Sequence, residues 1–585
     1  MRVLRWILIV TLSDCGAVAI MRAHPAIPLS PQSAALSPSP AAPMALPSRQ
    51  PYPGEARVTL AIHDERGRST GLRLRVTDAA GNYFPPLGHL PLPDKNSRGA
   101  TDVILGDGED TAFEVHALVY NGAQIDLPPG RYTFVARKGF EYEPVRIEVE
   151  ISAAQGQSVK LPLRKFHDLE SKGWYPGDTH IHFPDPMAIR YQMECEGLRV
   201  CSLLLYKGGY AKPPRPGDGT FINVEHFTGK LSPVSDREHF VKVGEEFRHG
   251  LLAHLVFQNL DQIVWPVSTG GLRENGAGGY DWPLMLQAAD DAHAQHGLVT
   301  WAHWPYPSME APLDIALGRI DSLDILTTGN PFHHHPALVA IYKMTGPQAY
   351  STAPIEMYYH YLNCGFRLTA TAGSDKMSLQ PPMGSARTYV KTSGPLTYDA
   401  WIEGVRQGRT FISTAPLMEF SVDGKIAGDT LRLKPGKARL RVRARTVSME
   451  PYDVLEVLVN GRIVANVAPT GSHFEATIDQ IIEVDRGGWI AARAHGVKML
   501  PSGPTWWKMP VFAHSSPIYL NMPGRPADCA ASVALILDQL GYLEDWVRNT
   551  AHLPSMENRA QALEYVAKAR AVYTSAAEQF SRSNQ

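Results

Sequence analysis

Apolar and polar residues alternate with a period of two in Val58–Ile62, Leu72–Val76, Ala112–Ala117, Tyr132–Ala136 and Val145–Ile151, and turn signals such as Pro128-Pro129-Gly130 separate these runs. They predict an all-β, sandwich-like module over 54–164. A second such module is expected over 417–522, where Ala438–Ala444, Val454–Val459 and Trp489–Ala494 repeat the pattern and Asn460-Gly461 supplies a hairpin turn. The period then lengthens. Ala531–Glu544 and Arg559–Phe580 show helical spacing without glycine-rich turns, so C-terminal helices are expected over 523–585. Between 165 and 416 the two patterns interleave: an apolar strand at Val200–Leu205, a helix at Leu284–His296, a strand at Leu298–Ala302 and a helix around Ala337–Met344. Such alternation predicts an α/β layer or barrel whose chemistry sits at the carboxyl ends of its strands.

Two N-terminal segments stand apart from these units. Arg2 and Arg5 precede the apolar run Trp6–Leu12, and Ala17-Val18-Ala19 offers small residues for cleavage, which predicts an exported chain with a signal peptide over 1–23. Nine prolines then fall within residues 24–53, a composition suited to an extended tether. No later segment has the length and apolarity of a membrane span. Across 585 residues, 56 Lys and Arg balance 58 Asp and Glu, so the chain offers no basic surface for nucleic acid. Cys195, Cys201, Cys364 and Cys529 show no CxxC spacing and read as packing residues. The histidines are uneven: 14 of 22 lie between His167 and His360.

Within that stretch Asp178-Thr179-His180-Ile181-His182 is the strongest signal. Residues two apart on a strand share a face, so His180 and His182 can converge on one cation while Ile181 faces the core. Further candidates recur near predicted strand ends: Glu245-Glu246-Phe247, His254, Trp301-Ala302-His303 and Gly373-Ser374-Asp375. Each has a plainer explanation as a surface charge, a core histidine bonded to a carbonyl or a helix cap. The run His333-His334-His335 reads as a loop at the pocket mouth, since adjacent residues rarely face one ion. Trp304, with Trp301, Tyr306, Phe332, Tyr358 and Tyr359, suits a substrate wall or simple packing. Gly271–Gly279 carries no phosphate-binding signature, and there is no GxSxG.

Taken in order over roughly Lys165–Pro416, these motifs, with Tyr361–Leu368 before the last, resemble the polymerase-and-histidinol-phosphatase (PHP) superfamily, and more closely its CehA/McbA metallohydrolase branch. The resemblance implies a distorted β/α barrel over 165–416 and hydrolytic chemistry. It assigns one cation to His180, His182, Glu246 and Asp375, and a second to His254 and His303 with Glu246 bridging. Glu245 fits less well, because the family's glutamate directly precedes an apolar residue, as Glu246 precedes Phe247.

Three departures fall together. Leu204-Leu205-Tyr206-Lys207 stands where many relatives carry Thr-Asp-His, Phe183-Pro184-Asp185-Pro186 replaces a Ser-Asp-Gly neighbourhood, and Asp375-Lys376-Met377 lacks a final histidine. They weaken a third metal position and leave one or two divalent transition metals as the expectation, with Zn²⁺, Mn²⁺ or Fe²⁺ favoured by the mixed imidazole and carboxylate donors. Lys207 or Lys376, with Tyr206 and Trp304, could contact substrate, the lysines by placing a fixed positive charge where the third cation would sit. The function expected is an exported hydrolase that directs metal-bound hydroxide at an ester, amide, carbamate or phosphoester of a small molecule, with Glu246 and Asp375 as its catalytic carboxylates. The alternative is a secreted binding or scaffold protein that keeps the fold without catalysis.

Overall fold

The computed structural model describes residues 50–91, 93, 101–106, 112–208, 220–271, 279–327, 329–333, 353–501 and 508–583. The expected leader, nearly all of the proline-rich tether, the helix expected around Ala337–Met344, and His334 and His335 lie outside the described residues.

The alternating runs of the N-terminal region become two sheets. Ala56–His63 pairs antiparallel with Gln124–Leu127 and parallel with Gln157–Pro162. A five-stranded sheet places Asp102–Leu105, Glu114–Tyr120, Gly71–Asp78, Gly130–Arg137 and Val145–Ile151 side by side. Val58, Leu60 and Ile62 from the first sheet and Leu72, Leu74, Val76 and Phe134 from the second are all buried in one cluster. The period of two therefore marks the face that each strand gives to a shared core.

The largest sheet carries the candidate residues. Sixteen strands belong to it, thirteen of them in one continuous order: Thr369–Thr371, Ser322–Asp324, Leu298–Trp301, Ala253–Gln258, Phe240–His249, Val200–Lys207, Trp174–Ile181, Arg387–Lys391, Thr410–Ser413, Met509–Ser515, Gly488–Leu500, Val454–Val459 and Arg462–Val467. Val200–Lys207 runs parallel to both neighbours, as the alternating pattern implied. Ala253–Gln258 runs antiparallel to both of its own. Only three residues link it to Phe240–His249, too few for a crossover, so a hairpin is the connection available.

The sheet curls into a half-barrel, and hydroxyl groups hold its returning edge. Thr369–Thr371 is three residues long and comes back beside Arg387–Lys391 and Thr410–Ser413. There Ala372 N donates to Thr388 Oγ1 at 2.8 Å and Thr388 Oγ1 donates to Ala372 O at 2.9 Å. Thr410 Oγ1 donates to Ala370 O at 2.7 Å, and Ala370 N to Ser516 Oγ at 2.9 Å. Side chains thus satisfy backbone groups that a ladder would otherwise pair.

The second β-rich region shares this sheet. Thr410–Ser413 pairs antiparallel with Met509–Ser515, so the backbone ladder crosses residue 416 without interruption. A separate sheet of Leu417–Val422, Ala438–Val447 and Ala476–Val484 contributes Val422, Val442 and Ile478 to a cluster with Leu455, Ile490 and Val511 of the large sheet.

Seven helices are found among the described residues. Pro186–Glu196 begins at Asp185, whose side chain accepts from Met187 N, with proline at the first helical position. Within Phe183-Pro184-Asp185-Pro186, Asp185 and Pro186 thus serve to start a helix. At the C-terminus, Ala530–Asn549 and Met556–Ser583 form two helices. Val533, Ile536, Leu540, Leu543 and Val547 recur at helical spacing and join Trp301, Leu313 and Tyr361 in one buried cluster. Tyr573 OH donates to Pro312 O at 2.7 Å. No helix of the described residues is long and apolar enough to cross a membrane.

Candidate metal centre

Six candidate residues meet at one rim of the half-barrel. His180 is the penultimate residue of the strand Trp174–Ile181 and His182 follows it; Glu246 lies near the end of Phe240–His249; His303 and Asp375 follow Leu298–Trp301 and Thr369–Thr371. His254 belongs to the same rim because the tight hairpin reverses its strand and so brings the start of Ala253–Gln258 level with the ends of its neighbours. The face arithmetic also holds. Ile181 is buried with Ile189, Met193 and Leu203, while the rings on either side of it turn to the rim.

His180 Nε2 and His182 Nε2 are 3.0 Å apart, and Asp375 Oδ1 lies 3.3 and 3.6 Å from them. Glu246 Oε2 is 3.3 Å from His182 Nε2. Donors of a tetrahedral zinc ion, bound at about 2.0–2.1 Å, stand about 3.3 Å from one another. The spacing of His180, His182 and Asp375 fits such an ion, while Glu246 approaches His180 Nε2 only to 3.9 Å, through Oε1. Asp375 Oδ1 and Glu246 Oε2 are moreover buried without a hydrogen bond, a costly condition that a cation would relieve.

Glu246 turns its other oxygen to the remaining pair. Oε1 lies 3.0 Å from His254 Nδ1 and 3.4 Å from His303 Nε2, and those two nitrogens are 3.1 Å apart. His303 is set up as a donor: its Nδ1 lies 2.5 Å from the Tyr306 carbonyl, which can only accept, so Nε2 keeps its lone pair. His254 is not. Arg248 Nε can only donate and stands 3.4 Å from His254 Nε2, which leaves the ring proton on Nδ1, pointing at Glu246. A cation at Nδ1 would move that proton to Nε2, against the Arg248 N–H. His180, His182 and Asp375 form one group able to hold an ion, and His180, Glu246 and His303 another.

Charge follows the same division. Burial opposes a charged His180, but Asp375, Asp324 and Glu246 surround it and raise it to about 9. Burial likewise opposes the Glu246 carboxylate, yet Arg248 and His254 hold it well below the usual carboxylate range. His254 moves the other way, pushed well down by burial and by Arg248.

The rim is held in place by two further acids: Asp178, which opens the motif of His180 and His182, and Asp324, which the sequence did not single out. Asp178 is buried and gathers four donors: Ser374 Oγ at 2.5 Å, Ser374 N at 2.9 Å, Gly384 N at 2.8 Å and His180 N at 3.1 Å. It thereby ties the segment carrying Asp375 to the strand carrying His180. Asp324 accepts from Thr179 Oγ1 at 3.1 Å and lies 3.8 Å from His180 Nδ1. Its position at a strand end was the available signal. Close approach also needs Gly373, where a Cβ would fall 2.6 Å from His180 Cβ. Asp375 and His303 themselves take positive φ, 47° and 32°, a strained backbone that the packing imposes on two candidate ligands.

No family model and no curated protein matches this chain.

The remaining candidates divide. Tyr206 lies at the rim, its ring centroid 4.8 Å from that of His182. Lys207 is half-buried with its Nζ 5.5 Å from the Phe221 ring. Lys376 is fully buried and donates to Pro381 O at 3.0 Å; burial lowers it to about 8, and the acids nearest it are Glu196 and Asp178. Only its carbonyl serves the rim, accepting from His182 N at 2.8 Å. Trp304 is buried and donates to Pro354 O at 3.0 Å, with its ring against Trp301 and Tyr361. Glu245 faces away from Glu246 and accepts from Val264 N at 2.8 Å, as strand alternation requires. His333 is exposed.

Proposed function

We propose that this protein is a metal-dependent hydrolase of small-molecule esters, amides, carbamates or phosphoesters, with His180, His182, Glu246 and Asp375 holding the principal cation. The observation that carries the proposal is the convergence of His180, His182 and Asp375 at ligand spacing, with Glu246 Oε2 3.3 Å from His182 Nε2 and with Asp375 Oδ1 and Glu246 Oε2 buried without a hydrogen bond. Glu246, His254 and His303 offer a second position, weaker than the first because of the proton on His254. Zn²⁺, Mn²⁺ and Fe²⁺ suit these donors. On the same proposal the half-barrel is the distorted β/α barrel of the PHP superfamily, in its CehA/McbA branch, with a sandwich-like module on either side, and the chain is exported.

A divalent cation bound there supplies Lewis acidity, polarising a carbonyl or phosphoryl oxygen and acidifying water from a pKa of about 15.7 toward about 7. The chain's own residues set the stage for that chemistry. Asp375 meets both imidazoles through Oδ1, which leaves Oδ2 to take a proton from water and return it to the leaving group. Asp178 fixes that carboxylate relative to His180, and Asp324 does the same for the His180 ring. Tyr206, packed against His182, covers one side of the site.

Metal analysis of the purified protein tests the proposal. One to two equivalents of transition metal are expected, with turnover of an activated aryl ester or phosphodiester. His180→Ala should lose the metal and the turnover together, beyond the roughly 10- to 100-fold that losing a supporting hydrogen-bond partner costs. Protein that takes up no Zn²⁺ or Mn²⁺ and turns nothing over favours the scaffold alternative.

A further inference from the structure

Arg248 is the cation that the proposed ligand set leaves over. It lies two residues after Glu246 on the same strand, so both side chains emerge on one face at the rim. Its Nε is 3.7 Å from Glu246 Oε2 and 3.4 Å from His254 Nε2, and its guanidinium carbon stands 5.1 Å over the Tyr206 ring. These contacts orient the group through Nε and one flat face. Neither Nη atom hydrogen-bonds to a described residue, and the side chain keeps 27% of its surface, against 2% for Glu246. The guanidinium therefore presents a pair of parallel N–H donors to solvent beside the candidate metal ligands. Such a fork matches the two oxygens of a carboxylate or phosphate.

The charge balance favours the same ligand. Glu246, Asp375 and Asp324 bring three negative charges to the centre, so one divalent cation with Arg248 balances them, and a second leaves the centre net positive. Lys207 extends the positive side of the rim: it ends the strand that carries Tyr206, and its neighbour in the pairing, Phe221, meets Trp265 at 5.5 Å between ring centroids. Trp265 is 59% exposed and Phe221 37%, which places an aromatic surface on that side.

We propose that Arg248 is the receptor for an oxyanion group of the substrate, so that the site selects molecules bearing a carboxylate or phosphate close to the bond that is cleaved. The assignment rests on the metal-hydrolase reading of the same site, and its test separates the two. Inorganic phosphate is titrated calorimetrically into zinc-loaded wild type, Arg248→Met and Arg248→Lys, with bound zinc measured on each sample and the comparison made at matched metal content. Phosphate should bind the wild type and weaken about 10- to 100-fold in Arg248→Met. Arg248→Lys, which keeps the charge without the fork, should fall between them. Titration with acetate and with methylphosphate distinguishes a carboxylate preference from a phosphate preference by which loses more on the Arg248→Met change. Equal phosphate affinity in wild type and Arg248→Met overturns the proposal while a zinc-loaded wild type leaves the hydrolase reading standing. Loss of phosphate binding in Lys207→Met with none in Arg248→Met also overturns it. If the wild type takes up no zinc, the hydrolase reading fails, and the same titrations on metal-free protein still decide the role of Arg248, equal affinities again counting against it.

Discussion

Two groups of buried acids in this protein meet opposite fates. Glu246 and Asp375 lie among four imidazoles, whereas Glu310 and Asp314, one helical turn apart, are fully buried against each other. Both pairs leave carboxylate oxygens without hydrogen-bond donors. At Glu310 and Asp314 a shared proton resolves the problem. Burial raises both carboxyls, Asp314 well above the usual range with the neighbouring Glu310 adding to its shift, while Glu310 accepts from Leu286 N at 3.0 Å. At the rim the proton sits on an imidazole, since Asp375, Asp324 and Glu246 raise His180 to about 9, while Glu246 stays ionised beside Arg248 and His254. Burial of acids alone therefore makes a proton-sharing pair; imidazole nitrogens aimed at the same point make a group in which a cation can take the proton's place.

The largest test of that contrast removes the frame around the imidazoles. Asp178→Ala leaves Ser374 N, Gly384 N and His180 N without an acceptor, and should destabilise the fold by about 3 kcal/mol and weaken metal affinity about 10- to 100-fold. Denaturant melts and metal competition would read both effects; unchanged metal affinity would show that the rim does not depend on this tie. Gly373→Ala is the next in size. A methyl 2.6 Å from His180 Cβ forces the Asp375 segment outward, at a cost of about 1–3 kcal/mol and with a clear drop in bound metal. The smallest effect belongs to the other acid pair. Asp314 has a folded-state pKa above its unfolded one, so the stability it contributes is present at low pH and is lost as pH rises through the folded value. Asp314→Asn should remove that loss, flattening by at least about 1 kcal/mol the fall in stability that begins as pH rises past the ordinary Asp value of about 4, without changing metal content. A parallel fall in wild type and variant would place the titration elsewhere.

Legibility in the sequence tracked the range of the interactions involved. Strand alternation is local, and Val58–Ile62, Leu72–Val76 and Val145–Ile151 all lie within strands. The helices Pro186–Glu196 and Tyr398–Arg406 were not anticipated. Pro186–Glu196 has few apolar positions in a regular stripe, since it is held partly by polar partners: Tyr191 OH donates to Leu118 O at 2.9 Å, and Lys138 Nζ to Glu194 Oε1 at 3.2 Å. The shared face of His180 and His182 followed from their spacing; Glu246, His254, His303 and Asp375 were joined to them only through the resemblance, and their meeting at one rim is a fact of the tertiary structure. Lys376 shows the limit. Its neighbour Asp375 reaches the rim, but residues adjacent in an irregular segment diverge, and the ammonium lies buried on the Pro381 carbonyl.

The sequence by itself determined the periodicities, hence the strands and the terminal helices, and it singled out the imidazoles and carboxylates fit to bind a cation. Only the tertiary structure decided which of them share a point in space. The hairpin that brings His254 level with His303, the hydroxyl seam that holds the half-barrel's returning edge and the Asp178 tie to the Asp375 segment all join residues far apart in the chain. It also decided that Arg248, half-buried beside Glu246 and His254, is a cation available at the rim, because burial and hydrogen bonding, which no local pattern encodes, had already claimed Lys376.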